Sequence, residues 1–134
     1  MYNLFLSLVL ILGGSSAAEF PTPSEKALIL VVNTADWCPV CQKNGERVEK
    51  ELLSDLMENQ KYLVIVNDLS NDESKAASQK KLEAAGLANF TAENNGTGRI
   101  YMINPESKEV VDKVSVRKST EKLLKKIEEA QAEM

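Results

Sequence analysis

Cys38 and Cys41 are the only cysteines among 134 residues, and they stand in the run Trp37-Cys38-Pro39-Val40-Cys41. Two thiols separated by two residues can close into a disulfide and reopen. An apolar run, Leu28–Val32, precedes them and a helix-like segment follows. That order puts Cys38 at a helix start, where the dipole favours the thiolate, the form that attacks a disulfide. The pattern points to thiol–disulfide exchange, with Cys38 as the accessible, low-pKa nucleophile and Cys41 as the shielded thiol one turn inside. As a staple the pair would do little, because so short a loop gives a small chain-entropy gain. The chain has no His, and a closed zinc site wants four N or S ligands. No metal site and no cofactor are therefore expected. Copper delivery through two soft thiolates is the metal-binding alternative.

The elements that must position these thiols follow from the apolar pattern. Ala27–Asn33 is a nearly continuous Val, Ile and Leu run and fits a strand buried on both faces. Pro39 suits the first helical position, where its missing N–H costs nothing. Val48, Leu52, Leu53, Leu56 and Met57 recur at helical spacing, which predicts a helix to about Asn59 with a bend at Gly45. Tyr62–Val66 is a second strand. Ser70 and Glu73 have capping-box spacing before a helix that ends near Gly86 and should pack closely through its alanines and Leu82. A polar loop, Leu87–Gly98, leads to a third strand, Arg99–Asn104. The turn Asn104–Lys108 joins it to a fourth, Glu109–Val116, as a hairpin. Ser119 caps a last helix with the stripe Leu123, Leu124, Ile127 and Ala130. The order is β-α-β-α-β-β-α. A right-handed crossover makes the first two strands parallel, and the hairpin adds an antiparallel pair. The cysteine loop then leaves the C-terminal end of a strand, where open α/β sheets place their chemistry.

Residues Tyr2–Leu12 are mostly apolar, small residues follow through Ala18, and charge begins at Glu19. This pattern predicts a signal peptide over residues 1–18. It is too short to span a bilayer comfortably, which takes roughly 20 residues. Residues 19–26, with Pro21 and Pro23, form an N-terminal linker, and residues 27–134 form the domain. Export places that domain in a disulfide-permissive compartment, periplasmic or extracellular. The formal net charge of −4, from 16 Lys and Arg against 20 Asp and Glu, argues against a nucleic-acid partner. A monomer is expected.

The strand–Trp-Cys-x-x-Cys–helix unit, followed by the remaining elements in order, resembles the thioredoxin superfamily from about Ala27 to the end. Ala35-Asp36-Trp37-Cys38 and Asn67-Asp68-Leu69-Ser70-Asn71-Asp72 resemble one group in particular: the periplasmic C-terminal thioredoxin-like domain of the bacterial transmembrane disulfide interchange reductase. The resemblance implies an α/β, thioredoxin-like fold with a central mixed sheet flanked by helices. It implies a soluble reductase of protein disulfides, recharged by an electron donor that the sequence does not identify. Carried over by position, Cys38 is the attacking cysteine and Cys41 the resolving one. Trp37, Pro39, Val40, Gly98 and Arg99 fall on the substrate-docking surface.

Three departures from that family stand out. Gly98 occupies the position of the proline that opens the strand facing the cysteines. Val32 replaces the acid buried behind them, leaving Asp36 or Glu46 as substitutes. The loop from Leu87 to Gly98 is longer than the usual connection. It holds Asn89-Phe90-Thr91 and Asn95-Gly96-Thr97, which have the form of N-glycosylation acceptors and matter only in a eukaryotic host. The Pro39-Val40 spacer leaves oxidase or isomerase activity open beside reductase activity.

Overall fold

The computed structural model describes Ser24 and residues 26–134. The expected signal peptide and Pro21–Pro23 lie outside these residues. Strand β1 (Leu28–Thr34) leads through a short turn to helix α1 (Pro39–Val48), which passes through a π-helical turn (Glu49–Leu53) into α2 (Ser54–Met57). Then come β2 (Tyr62–Asp68), α3 (Asp72–Ala84), the short α4 (Phe90–Glu93), β3 (Arg99–Ile103), β4 (Val110–Ser115) and α5 (Thr120–Ala132).

The four strands form one sheet in the order β2-β1-β3-β4. β1 runs parallel to β2 and antiparallel to β3, and β3–β4 is an antiparallel hairpin. β1 is therefore central, which explains its unbroken apolar run. Leu28, Leu30 and Val32 point to one face, Ile29 and Val31 to the other. The first face packs on Val48, Leu52 and Leu56 from the helix pair and on Leu123, Ile127 and Ala130 from α5. The second packs on Leu82 of α3 and on Leu87 and Phe90. Phe90 meets Tyr101 edge-on, ring centroids 5.2 Å apart, a favoured aromatic geometry. Each fully buried side chain of this size contributes roughly 1.5–3 kcal/mol. The fold is the expected α/β one: a mixed sheet with helices on both faces.

Four local readings need correction. The helix after the cysteines departs from α geometry at Glu49–Leu53, four residues beyond Gly45, which sits in regular helix. The cap of α3 is Asn71, whose side chain accepts from the Ser74 N–H at 2.8 Å. Ser70 instead accepts from the Asp36 N–H at 2.8 Å and donates to Asp68. The alanines Ala76, Ala77 and Ala84 of α3 face solvent; the helix docks through Leu82 and through Ser78, whose hydroxyl accepts from the Asp68 N–H at 2.9 Å. Finally, the loop between α3 and β3 contains a turn of helix, α4, because Phe90 is drawn into the core.

Candidate functional site

Cys38 is the N-cap of α1: its Sγ accepts from the Cys41 N–H at 3.3 Å, and Pro39 fills the first helical position. The sulfur thus lies at the positive end of the helix, one of whose free N–H groups points at it. Hydrogen bonds from the Cys41 thiol, the Thr97 hydroxyl and the Cys41 and Val40 N–H groups outweigh burial, the largest single influence, and hold the Cys38 thiol below its ordinary value. Burial pushes the Cys41 thiol up, and its bond to Cys38 adds to that, against weaker help from the Ala35 backbone and Thr34. Both thiols are free.

Exposure runs against expectation. Cys38 is 3% exposed and Cys41 8%, so Cys38 is no more exposed than Cys41. Both pack with Ala35, Leu69 and half-buried Val40. Trp37 is the exposed member of the motif, at 59%. An indole so placed is not core filling; it offers a large apolar contact beside the sulfur. Pro39 is exposed as well, and Arg99 opens β3 with its side chain in solvent.

Gly98 lies against the dithiol: a Cβ there would stand 3.1 Å from Val40 Cγ1 and 3.7 Å from Cys38 Sγ. Its φ is +73°, a conformation suited to glycine and closed to proline. Its N–H donates to the Asn33 carbonyl at 2.8 Å, and its carbonyl accepts from the Val116 N–H at 3.0 Å. Both backbone groups are thereby engaged within the chain. Among the described residues no hydrogen bond occupies the backbone of Thr97.

The pair that holds this segment in place was not among the site residues expected from the sequence. Asn33 and Asn67 are register partners on β1 and β2, exposed by 0% and 1%. Asn33 Nδ2 donates to the carbonyls of Asn94 and Gly96 at 2.9 and 3.1 Å. Asn67 Nδ2 donates to Asn33 Oδ1 at 2.9 Å and to the Thr91 hydroxyl at 3.2 Å. With its carbonyl on Gly98, Asn33 fixes residues 94–98 at three points and so sets Thr97 against Cys38. The available clue was an asparagine directly after each apolar run, Asn33 after Val32 and Asn67 after Val66, since a buried amide needs partners. Arg47 does a similar job on the other side: its guanidinium donates to the carbonyls of Val116 and Lys118 at 2.8 and 3.0 Å and to the Thr120 hydroxyl at 2.9 Å.

Val32 is buried in β1, so no acid lies behind the cysteines at that position. Glu46 pairs with Lys50 at 2.6 Å on an exposed face, and the Asp36 side chain is exposed. Neither carboxylate is among the groups that set the Cys41 thiol.

No protein-family model and no curated relative matches the chain. Among solved structures it is similar to Trxlp from Edwardsiella tarda EIB202, with 20% identity and a TM-score of 0.49 over 76% of this chain and 82% of that one. It is also similar to a candidate protein disulfide isomerase from Bacteroides thetaiotaomicron, with 21% identity and a TM-score of 0.54 over 80% of this chain and 75% of that one. The second likeness, together with the mixed four-strand sheet flanked by helices, shows a thioredoxin-like fold. On that fold the Cys-x-x-Cys pair opens the helix that follows the central strand.

Proposed function

We propose that the protein is an exported thiol–disulfide oxidoreductase that works as a reductase of protein disulfides. The observation that carries the reading is the asymmetry of the dithiol. Cys38, at a helix N-cap and ringed by donors, is biased toward thiolate, while Cys41 is biased toward thiol. The Cys38 thiolate attacks one sulfur of a substrate disulfide; a mixed disulfide forms, and the other substrate sulfur leaves and takes up a proton. Cys41 then loses its proton to solvent and attacks Cys38 Sγ. The Cys38–Cys41 disulfide forms and the second substrate thiol is released. The substrate gains two electrons and the domain loses two. An external dithiol donor must restore them. Exposed Trp37 and the unoccupied Thr97 backbone are the features a substrate segment would meet first. The apolar leader before Glu19 supports export. The likeness of Ala35–Cys38 and Asn67–Asp72 to the domain of the transmembrane reductase supports the reductive direction.

The test is the reduction potential of the Cys38–Cys41 pair, measured against glutathione or dithiothreitol, together with trapping. A value near the roughly −270 mV of thioredoxin is expected. One near the roughly −120 mV of a strong oxidant would reverse the direction. Cys41→Ser should accumulate mixed disulfides through Cys38, and Cys38→Ser should not. Equal trapping by both variants would remove the mechanism. Intact mass and fractionation of the expressed chain test export: a mass starting near Glu19, outside the cytoplasm, is expected.

A further inference from the structure

Cys41 has a second neighbourhood that the exchange chemistry does not use. A cavity of about 600 Å³ opens between the helix pair and the sheet, walled by Cys41, Gly45, Val48 and Leu53 on one side and by Val32 and Val66 on the other. The wall is mainly apolar. Glu49 and Glu58 supply the charged groups of its lining, and no Lys or Arg takes part. Both carboxylates are exposed, and neither is in an ion pair among the described residues.

Two features of the chain border this space. Gly45 lines this space, and a Cβ there would meet no atom within 4 Å. Glycine inside a helix is destabilising relative to alanine, and unfilled apolar space forfeits packing. A larger residue at position 45 would relieve the helix cost and meet no clash at its Cβ, yet glycine stands there. The π-helical turn Glu49–Leu53 borders the same space, and single π turns cluster at functional sites. The volume falls within the roughly 300–1,000 Å³ of small-molecule sites, which share this mix of apolar wall and few polar groups.

We propose that the cavity binds a hydrophobic cation of small-molecule size, its alkyl or aromatic body lying against Cys41 and its amine or quaternary ammonium head at Glu49 and Glu58. Apolar lining selects the body, and two carboxylates outside any ion pair among the described residues, in a lining without Lys or Arg, select the sign of the head. A bound body covers the Cys41 sulfur, so occupancy slows the step in which Cys41 attacks the mixed disulfide. That consequence rests on the function proposed above; the binding itself does not.

The probes are dodecyltrimethylammonium and dodecanoate, each below its micellar concentration, titrated calorimetrically into the reduced protein. One saturable site is expected, with the cation at least tenfold tighter than the carboxylate. Gly45→Leu, which favours the helix and fills the hollow, should weaken the cation at least tenfold. Val66→Phe, which fills it from the strand side, should do the same. Glu49→Gln with Glu58→Gln should erase the preference between the two heads. In Cys38→Ser, saturating cation should slow alkylation of Cys41 at least fivefold. No saturable cation binding, equal affinity for both heads, unchanged affinity in both filled variants, or unshielded Cys41 would each overturn the proposal. If the cation binds and shields Cys41 in a protein that exchanges no disulfides, the site stands and the proposed function fails.

Discussion

Replacing Gly98 tests the geometry beside the dithiol more sharply than any change to the cysteines. Its φ of +73° lies in the left-handed region, which costs an L-residue roughly 1–2 kcal/mol. An added Cβ would stand 3.1 Å from Val40 Cγ1 and 3.3 Å from Val40 Cβ. Half-buried Val40 must then give way, and overpacking of this kind adds roughly 1 kcal/mol. Gly98→Ala should therefore destabilise the reduced protein by about 2–3 kcal/mol. Gly98→Pro should cost more than about 3 kcal/mol. Proline locks φ near −65°, and it deletes the N–H that donates to the Asn33 carbonyl at 2.8 Å. Urea denaturation of both variants with excess reductant gives the two numbers. Thiolate absorbance against pH gives a third readout: moving residues 97–98 away from Cys38 weakens the Thr97 hydrogen bond, so the Cys38 thiol should titrate higher in Gly98→Ala. A Gly98→Pro protein as stable as the parent, or a Gly98→Ala protein within about 0.5 kcal/mol of it, would refute the left-handed placement and the ordering of the site built on it.

Asn33→Leu should cost about 2–4 kcal/mol, because it strands the Asn94 and Gly96 carbonyls and the Asn67 amide; Asn67→Leu added to it should cost less than its effect alone, and strict additivity in a double-mutant cycle would remove the coupling. Arg47→Met should cost about 2–3 kcal/mol by urea denaturation, since it leaves the Val116 and Lys118 carbonyls unpaired at the α1–α5 junction; a change under about 0.5 kcal/mol would make those bonds incidental. Because the Cys41 thiol helps hold Cys38 down, Cys38 should titrate higher in Cys41→Ala than in Cys41→Ser, which keeps a donor; identical alkylation profiles would discard that hydrogen bond. The lowered thiol contributes stability that appears as pH rises through its folded value and is complete above its unfolded one, whereas the raised Cys41 loses its contribution over the range above its unfolded value. Reduced Cys38→Ser should accordingly lose stability with rising alkaline pH, and reduced Cys41→Ser should gain it.

The fold was legible because its strongest constraint is written in one strand. Leu28–Val32 is apolar at every position, and only a central strand covered on both faces needs that. Once β1 is central, the crossover to β2 and the hairpin β3–β4 have few places to go, and the stripe of α5 identifies the face it covers. Misreadings arose where a local pattern competed with tertiary contacts. Ser70 has the right spacing to cap α3, but its hydroxyl is taken by Asp36 and Asp68, so Asn71 caps instead. The alanines of α3 looked like a packing face by composition alone. Periodicity around them is weak, and Ser78 with Leu82 makes the contact.

The site was legible in its chemistry and not in its support. Cys38 and Cys41 announce themselves by spacing, and Pro39 fixes which of them caps the helix. Beside the local Cys41 and Val40 donors, the Thr97 hydroxyl that helps lower the Cys38 thiol comes from far along the chain, and it is set there only when β1, β2 and the 87–98 segment meet. Asn33 read as a strand end and Asn67 as the start of a motif after the second strand; in the fold they are paired neighbours, and Asn33 holds the carbonyls of Asn94 and Gly96. Gly98 read as a glycine in place of the proline that opens this strand. Its positive φ makes it a different solution to the same requirement: the segment is ordered through hydrogen bonds from both faces of its backbone rather than by a ring. Ordering by hydrogen bonds leaves the Thr97 backbone free at the sulfur. A substrate strand pairing there would therefore depend on the asparagine clamp as much as on the cysteines, and the site extends from the motif into the sheet beneath it.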